Sequence, residues 1–159
     1  MSTLATQLSN KACAKDLELE NPLATQAYAG FLNYDTLYAA SCLTSASTGN
    51  YCYADAVSNT SAPTSSHIYY VPLGAMLTPA TRPACTPCLQ DTMAIFAAAA
   101  GDKKSGFKGD YAQAAQVVDL TCGPGFVQPG PASNEGAMTG PSSMLGLVAL
   151  AAMLLNHFL

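Results

Sequence analysis

The sequence predicts a mainly α-helical domain stapled by disulfides, with one short extended segment, followed by a disordered linker and an apolar C-terminal tail. Three observations lead there. Six cysteines are spread through 159 residues, a high and even count that suits an oxidised framework. Apolar residues recur at helical spacing in the two longest uninterrupted segments. Pro and Gly punctuate the rest, and the chain ends in small, polar, structure-breaking residues followed by a greasy run. The length allows one domain of ordinary size. Half the residues are hydrophobic and only 10% are charged, which excludes a chain too polar to fold. A net charge of −4 argues against nucleic acid, which needs a basic face to displace counterions.

In chain order, Leu4, Leu8 and Ala12 share one helical face, with Cys13 and Leu17 on a neighbouring one. Asn21-Pro22 reads as a helix start: Asn caps, and Pro at the first position forgoes only an N–H that would go unused. Leu23, Ala27 and Phe31 then face one way until Gly30 and Asn33 interrupt. Tyr34, Tyr38 and Cys42 follow at i, i+4 and i+8, so the thiol ends an aromatic stripe. Thr44 to Asn50 is a Ser/Thr/Gly turn before Cys52. Residues 58–66 form a Ser/Thr/Pro-rich loop. His67-Ile-Tyr-Tyr-Val71 is aromatic and β-branched and is expected to be extended, and Pro72, Pro79 and Pro83 keep the stretch after it out of helix. From Cys85 to Ala100 the helix signal is clearest, with Leu89, Met93, Phe96 and Ala100 on one stripe. Gly101 to Gly106 closes it. A second helix over about 110–121 puts Tyr111, Ala114, Ala115, Val118 and Cys122 on one face, and Gly123-Pro124-Gly125 stops it.

The C-terminus carries the most specific pattern. Residues 144–155 are an unbroken apolar run, and continuing to Leu159 gives a helix of about 24 Å against a hydrocarbon core of about 30 Å. No Lys or Arg flanks it. Small residues, a polar spacer and a terminal greasy tail make the pattern of a GPI-attachment signal, with Asn134 as the attachment residue and Gly136 two residues on. A cytosolic tail anchor and a buried or partner-docking helix are the alternatives. The N-terminal residues show neither a basic segment nor an apolar stretch of leader type, so the GPI route requires a signal peptide upstream of Met1.

An extracellular setting fits two further features. Cys13, Cys42, Cys52, Cys85, Cys88 and Cys122 are all expected in disulfides, with Cys42–Cys52 favoured as a short loop. One of Cys85 or Cys88 would pair with Cys122, and Cys13 with the thiol left over; six cysteines allow fifteen connectivities, so spacing does not decide. Asn59-Thr60-Ser61 is an N-glycosylation sequon inside the Ser/Thr/Pro loop. Catalytic and metal chemistry find little support. Cys85-Thr-Pro-Cys88 has redox-motif spacing but no βαβ context, and Cys85, Cys88, Cys122 and His67 would make a zinc set only if the thiols were reduced. There is no Gly-x-Ser-x-Gly elbow and no carboxylate pair. Lys103, Lys104 and Lys108 read as a solvated turn.

Taken in order, Tyr69-Tyr-Val-Pro-Leu-Gly74, Cys85-Thr-Pro-Cys-Leu-Gln-Asp-Thr-Met-Ala-Ile-Phe96, Tyr111 with its Ala pair, and Thr121-Cys-Gly-Pro-Gly-Phe-Val127 resemble a family of fungal GPI-anchored, cysteine-containing surface glycoproteins with a domain of unknown function. The resemblance spans about residues 67–127. It implies a secreted, disulfide-bonded, mostly helical domain ahead of a GPI signal, and it brings no catalytic or binding residues with it.

The expected organisation is an extracellular helical domain over 1–127, a linker and attachment region over 128–143, and a signal tail over 144–159. The expected function is a non-enzymatic surface glycoprotein with a structural, adhesive or wall-associated role. Its partners would be the membrane through the anchor and cell-wall polysaccharide, with no cofactor, no metal and no nucleic acid. The alternative is a binding module for a small apolar ligand such as a lipid or sterol, which a pocket lined by Tyr69, Met93, Ile95 and Phe96 would favour and a filled core would not.

Overall fold

A computed structural model describes residues 1–130, except for the side chains of Ser2 and Lys108. Asn134 and the tail over 144–159 lie outside the described residues. The α-helices are α1 (Ser2–Gln7), α2 (Ala14–Glu18), α3 (Pro22–Leu32), α4 (Tyr34–Ser41), α5 (Cys52–Ser58), α6 (Pro87–Ala100) and α7 (Lys108–Cys122). A π-helical turn, Leu8–Ala12, joins α1 to α2, and a 3₁₀ helix runs over Pro63–Leu73. No strand forms among the described residues; one isolated antiparallel bridge pairs Thr44 with Tyr51.

The local signals in the sequence account for the helix starts. Asn21 Oδ1 accepts from the backbone N–H groups of Leu23 and Ala24, at 3.1 and 3.5 Å, with Pro22 at the first position of α3. Thr86 Oγ1 caps α6 by accepting from the Leu89 N–H at 3.3 Å, again with Pro next in the chain. Gly123, at φ +106°, ends α7 in a backbone conformation that a side chain would strain.

The core sits where α6, α7 and the 3₁₀ helix meet. Leu89, Met93, Phe96 and Ala100 of α6 are all buried, as are Tyr111, Ala114, Ala115 and Val118 of α7. The two stripes expected from the sequence are therefore the packed faces. Phe107, from the loop between the helices, sets its ring edge-on to Phe96 with centroids 6.4 Å apart. Tyr111 is fully buried and donates its phenolic hydrogen to the Gln128 carbonyl at 2.6 Å, and burial pushes that phenol up to about 12. The side chain of Gln113 in α7 pairs with both backbone groups of Leu77, which ties down the irregular segment after the 3₁₀ helix. Asp119 accepts from the N–H groups of Gly125 and Val127, folding the chain back after α7.

The segment His67–Val71, expected to be extended, lies instead inside the 3₁₀ helix, with Ser65, Ile68, Tyr69, Val71 and Pro72 buried. No neighbouring strand is available to pair with it. With three residues per turn, Ser65, Ile68 and Val71 eclipse one another and present a single row to the core. Burial of that row overrides the β-propensity of the residues, which reflects fit to a half-buried surface more than backbone preference.

Asn33 joins three parts of the molecule. It is only 2% exposed, at the junction of α3 and α4. Its Nδ2 lies 3.1, 2.8 and 3.1 Å from the carbonyls of Ala29, Pro72 and Ser105, and its two hydrogens are shared among the three. The end of α3, the 3₁₀ helix and the α6–α7 loop thus share one amide. Its Oδ1 is buried without a partner, a local cost of about 1–3 kcal/mol.

Truncating Phe96 to Ala should leave a cavity at the α6–α7 contact and cost about 3–5 kcal/mol. Lys104→Ala, in the exposed turn between the helices, should change stability by less than ~0.5 kcal/mol. Chemical denaturation of the disulfide-intact chain checks the pair; equal, small effects would contradict this assignment of the core.

Candidate functional site

Two disulfides form, Cys52–Cys88 and Cys85–Cys122, with sequence separations of 36 and 37. Cys13 and Cys42 are free thiols, Cys13 half-buried at the end of the π-turn and Cys42 exposed after α4. The pairing of one CxxC cysteine with Cys122 follows the sequence reading. The Cys42–Cys52 bridge and a fully oxidised set of six do not form. The reason is the hairpin itself. The Cys52 N–H donates to the Leu43 carbonyl at 2.8 Å beside the Thr44–Tyr51 bridge, so the two segments lie side by side. Cys52 nevertheless faces inward at 2% exposure, whereas Cys42 faces solvent at the end of the exposed Tyr34–Tyr38 stack.

Around Cys52–Cys88 the structure leaves a cleft of about 480 Å³, between the Thr44–Thr48 turn, α5, the 3₁₀ helix, the segment before α6 and the start of α6. Ile68, Tyr69, Leu89 and Cys52 are buried members of its lining, and so are the hydroxyl-bearing Ser65 and Thr92. Hydroxyl groups furnish the walls. Tyr69 Oη and Thr92 Oγ1 share a buried hydrogen bond of 3.2 Å, and Ser45 Oγ and Ser47 Oγ share one of 2.9 Å. Ser65 Oγ accepts from the Ala84 N–H at 3.0 Å, which fixes the segment before α6. Burial pushes the Tyr69 phenol above its usual range, the Thr92 bond pulls it partly back, and Tyr53 and Asp55 add to the rise.

At the rim, Asp55 accepts from Thr48 Oγ1 at 2.7 Å and from Asn50 Nδ2 at 3.0 Å, which stiffens the turn. Asp91 is exposed at the start of α6, and its carboxylate has no hydrogen-bond or ion-pair partner among the described residues. Asn59 also lines the cleft. Its Oδ1 accepts from the N–H groups of Ser61 and Ala62, at 3.0 and 2.9 Å. Among the described residues the lining holds no Lys, Arg or His, and these residues offer hydroxyls, carboxylates and apolar surface to a neutral ligand.

The pocket considered from the sequence does not form as such. Tyr69 lines the cleft, but Met93 and Phe96 are wholly buried in the core and Ile95 packs against it. The thiols a zinc set would draw on at Cys85, Cys88 and Cys122 are in disulfides. No cluster of three His, Cys, Asp or Glu gathers among the described residues. No helix among them is long and apolar enough to cross a membrane. Sequence reasoning placed Asn59 and both cleft cysteines in play but missed Ser45, Asp55, Ser65, Thr92 and Asp91. Ser45 and Ser65 sit in Ser/Thr-rich stretches that read as solvated loop, and Asp55, Asp91 and Thr92 sit on helices where nothing local marks a cleft.

Alkylation of the native, unreduced chain should modify two cysteines and no more, Cys42 faster than Cys13. Mass spectrometry of the labelled protein checks this; label on Cys85 or Cys122 without reductant would contradict the assigned bridges.

Neither a curated protein nor a solved structure matches the chain. A family model does, over residues 1–130, and its description is Domain of unknown function (DUF7729). That span holds all six cysteines, the cleft and the whole of the described fold. The chain belongs to the DUF7729 family.

Proposed function

We propose that the chain is the extracellular domain of a GPI-anchored surface glycoprotein, with a structural, adhesive or wall-associated role and no catalytic activity. The observation that carries the reading is the pair of disulfides closing loops of 36 and 37 residues in a small helical domain. Such bridges persist in oxidising compartments and are kept reduced in the cytosol. Three features support it further. Asn59, in its sequon, is half-buried and lines the cleft. Residues 131–143 carry the small and polar composition that an attachment enzyme requires, and residues 144–159 the greasy tail. Among the described residues the cleft also lacks a histidine or lysine base that would activate its hydroxyls as nucleophiles.

A second reading, an extracellular binding module, is favoured by the cleft itself. A volume of about 480 Å³ lies in the range that takes a small molecule. Its hydroxylated walls suit an amphipathic ligand better than a lipid tail.

Expression of the full chain behind an added secretion leader in a eukaryotic host tests the main reading. Phosphatidylinositol-specific phospholipase C should release the protein from the cell surface, and its C-terminal peptide should end near Asn134 with ethanolamine attached. Recovery of an intact Leu159 terminus would overturn the anchor.

A further inference from the structure

We propose that the cleft beside Cys52–Cys88 seats the first sugars of a glycan carried on Asn59. The proposal rests on the extracellular reading above and adds to it a place for the carbohydrate. Attachment joins Asn59 Nδ2 to the anomeric carbon of the sugar as the bond from that carbon to a lipid pyrophosphate donor breaks, the amide giving up one proton. The attachment atom is already positioned. Oδ1 is held by the N–H groups of Ser61 and Ala62, which fixes the amide plane. Nδ2 has no hydrogen-bond partner among the described residues, on a residue that lines the cleft.

The lining has the chemistry a pyranose needs. A sugar ring is neutral, with C–H groups on its faces and hydroxyls around its edge. The apolar surface of Ala56 and Pro87, with the accessible edges of Tyr69 and Leu89, suits the C–H face. Hydroxyl-bearing walls and the unpartnered Asp91 carboxylate accept from and donate to the edge, as their atoms allow. The absence of a cation among the described lining residues costs a neutral ring nothing, whereas it would disfavour a phosphate or carboxylate ligand.

Weak intrinsic affinity is enough. A ligand tethered through one side chain experiences an effective concentration in the mM range. A site of ~0.1 mM affinity would then be about 90% occupied, and an enzyme that attacks only the unseated glycan would slow about tenfold.

The experiment uses the full chain secreted behind an added leader from a eukaryotic host. Intact mass first gives the occupancy of Asn59. The glycan is then cut with an endoglycosidase that cleaves between its first two sugars, on native protein and on reduced, unfolded protein. The expected result is an occupied Asn59 and a native rate about tenfold below the unfolded rate. Ala46→Trp, on the exposed turn at the mouth of the cleft, should abolish most of that protection while circular dichroism remains unchanged. Equal rates on native and unfolded protein, or full protection in the Ala46→Trp protein, would overturn the proposal while leaving the surface-glycoprotein reading standing. An unoccupied Asn59 in secreted protein would overturn both the seat and the glycoprotein assignment. A last arm separates the chain's own glycan from a free saccharide. Titration of Asn59→Gln protein with N,N′-diacetylchitobiose should move the amide resonances of Ile68 and Thr92, and the glycosylated protein should not respond. No response in Asn59→Gln, or an equal response in both, would contradict occupancy by the chain's own glycan.

Discussion

Both disulfides leave the chain from Cys85-Thr-Pro-Cys88, so the first turn of α6 is fastened at once to the start of α5 and to the end of α7. Loops of 36 and 37 residues correspond to about 4 kcal/mol each by loop-closure entropy. Against the ~5–15 kcal/mol that holds an ordinary domain together, either bridge is a large share. The constraint also has a direction. Cys88 draws α5 and the turn before it toward α6, which leaves the cleft between them, and Cys85 draws the end of α7 over the other side, which closes the core stripe.

The rest of the molecule relies on that node because its N-terminal part buries little. Among the described residues of α1, the π-turn, α2 and α3, only Ala5 is a buried apolar side chain, and Leu19 and Leu23 are 71% and 79% exposed. Area burial of this kind contributes too little to hold the helices in place. Asn33 makes the connection instead, with one amide shared among the end of α3, the 3₁₀ helix and the α6–α7 loop. The 3₁₀ helix is the common element, since it packs against α3, α4, α5 and α7 in turn.

What was legible in the sequence was local. The Asn21-Pro22 start, and the stripes Leu89–Met93–Phe96–Ala100 and Tyr111–Ala114–Val118, depend on residues within a few turns of one another, and the fold uses them as written. The Tyr34–Tyr38 stripe was equally regular but faces water, because periodicity marks a face without saying what covers it. The 3₁₀ helix escaped because an aromatic, β-branched segment carries the same composition whether it pairs in a sheet or stacks in threes. The cleft escaped for a different reason. Ser45, Asp55, Ser65 and the adjacent pair Asp91 and Thr92 come from four separate segments, and nothing local to any of them marks a shared cleft. Disulfide choice was decided by which way each cysteine faces across a hairpin, which spacing does not encode.

The convergence of both bridges on Cys85-Thr-Pro-Cys88 is tested most directly by mapping the linkages. Digestion of the secreted, unreduced chain, with cleavage at Pro87 or by Edman cycling to separate the neighbouring half-cystines, followed by mass spectrometry, should give one linked peptide joining Cys52 to Cys88 and another joining Cys85 to Cys122. A linked peptide joining Cys42 to Cys52, or one joining Cys85 to Cys88, would contradict it.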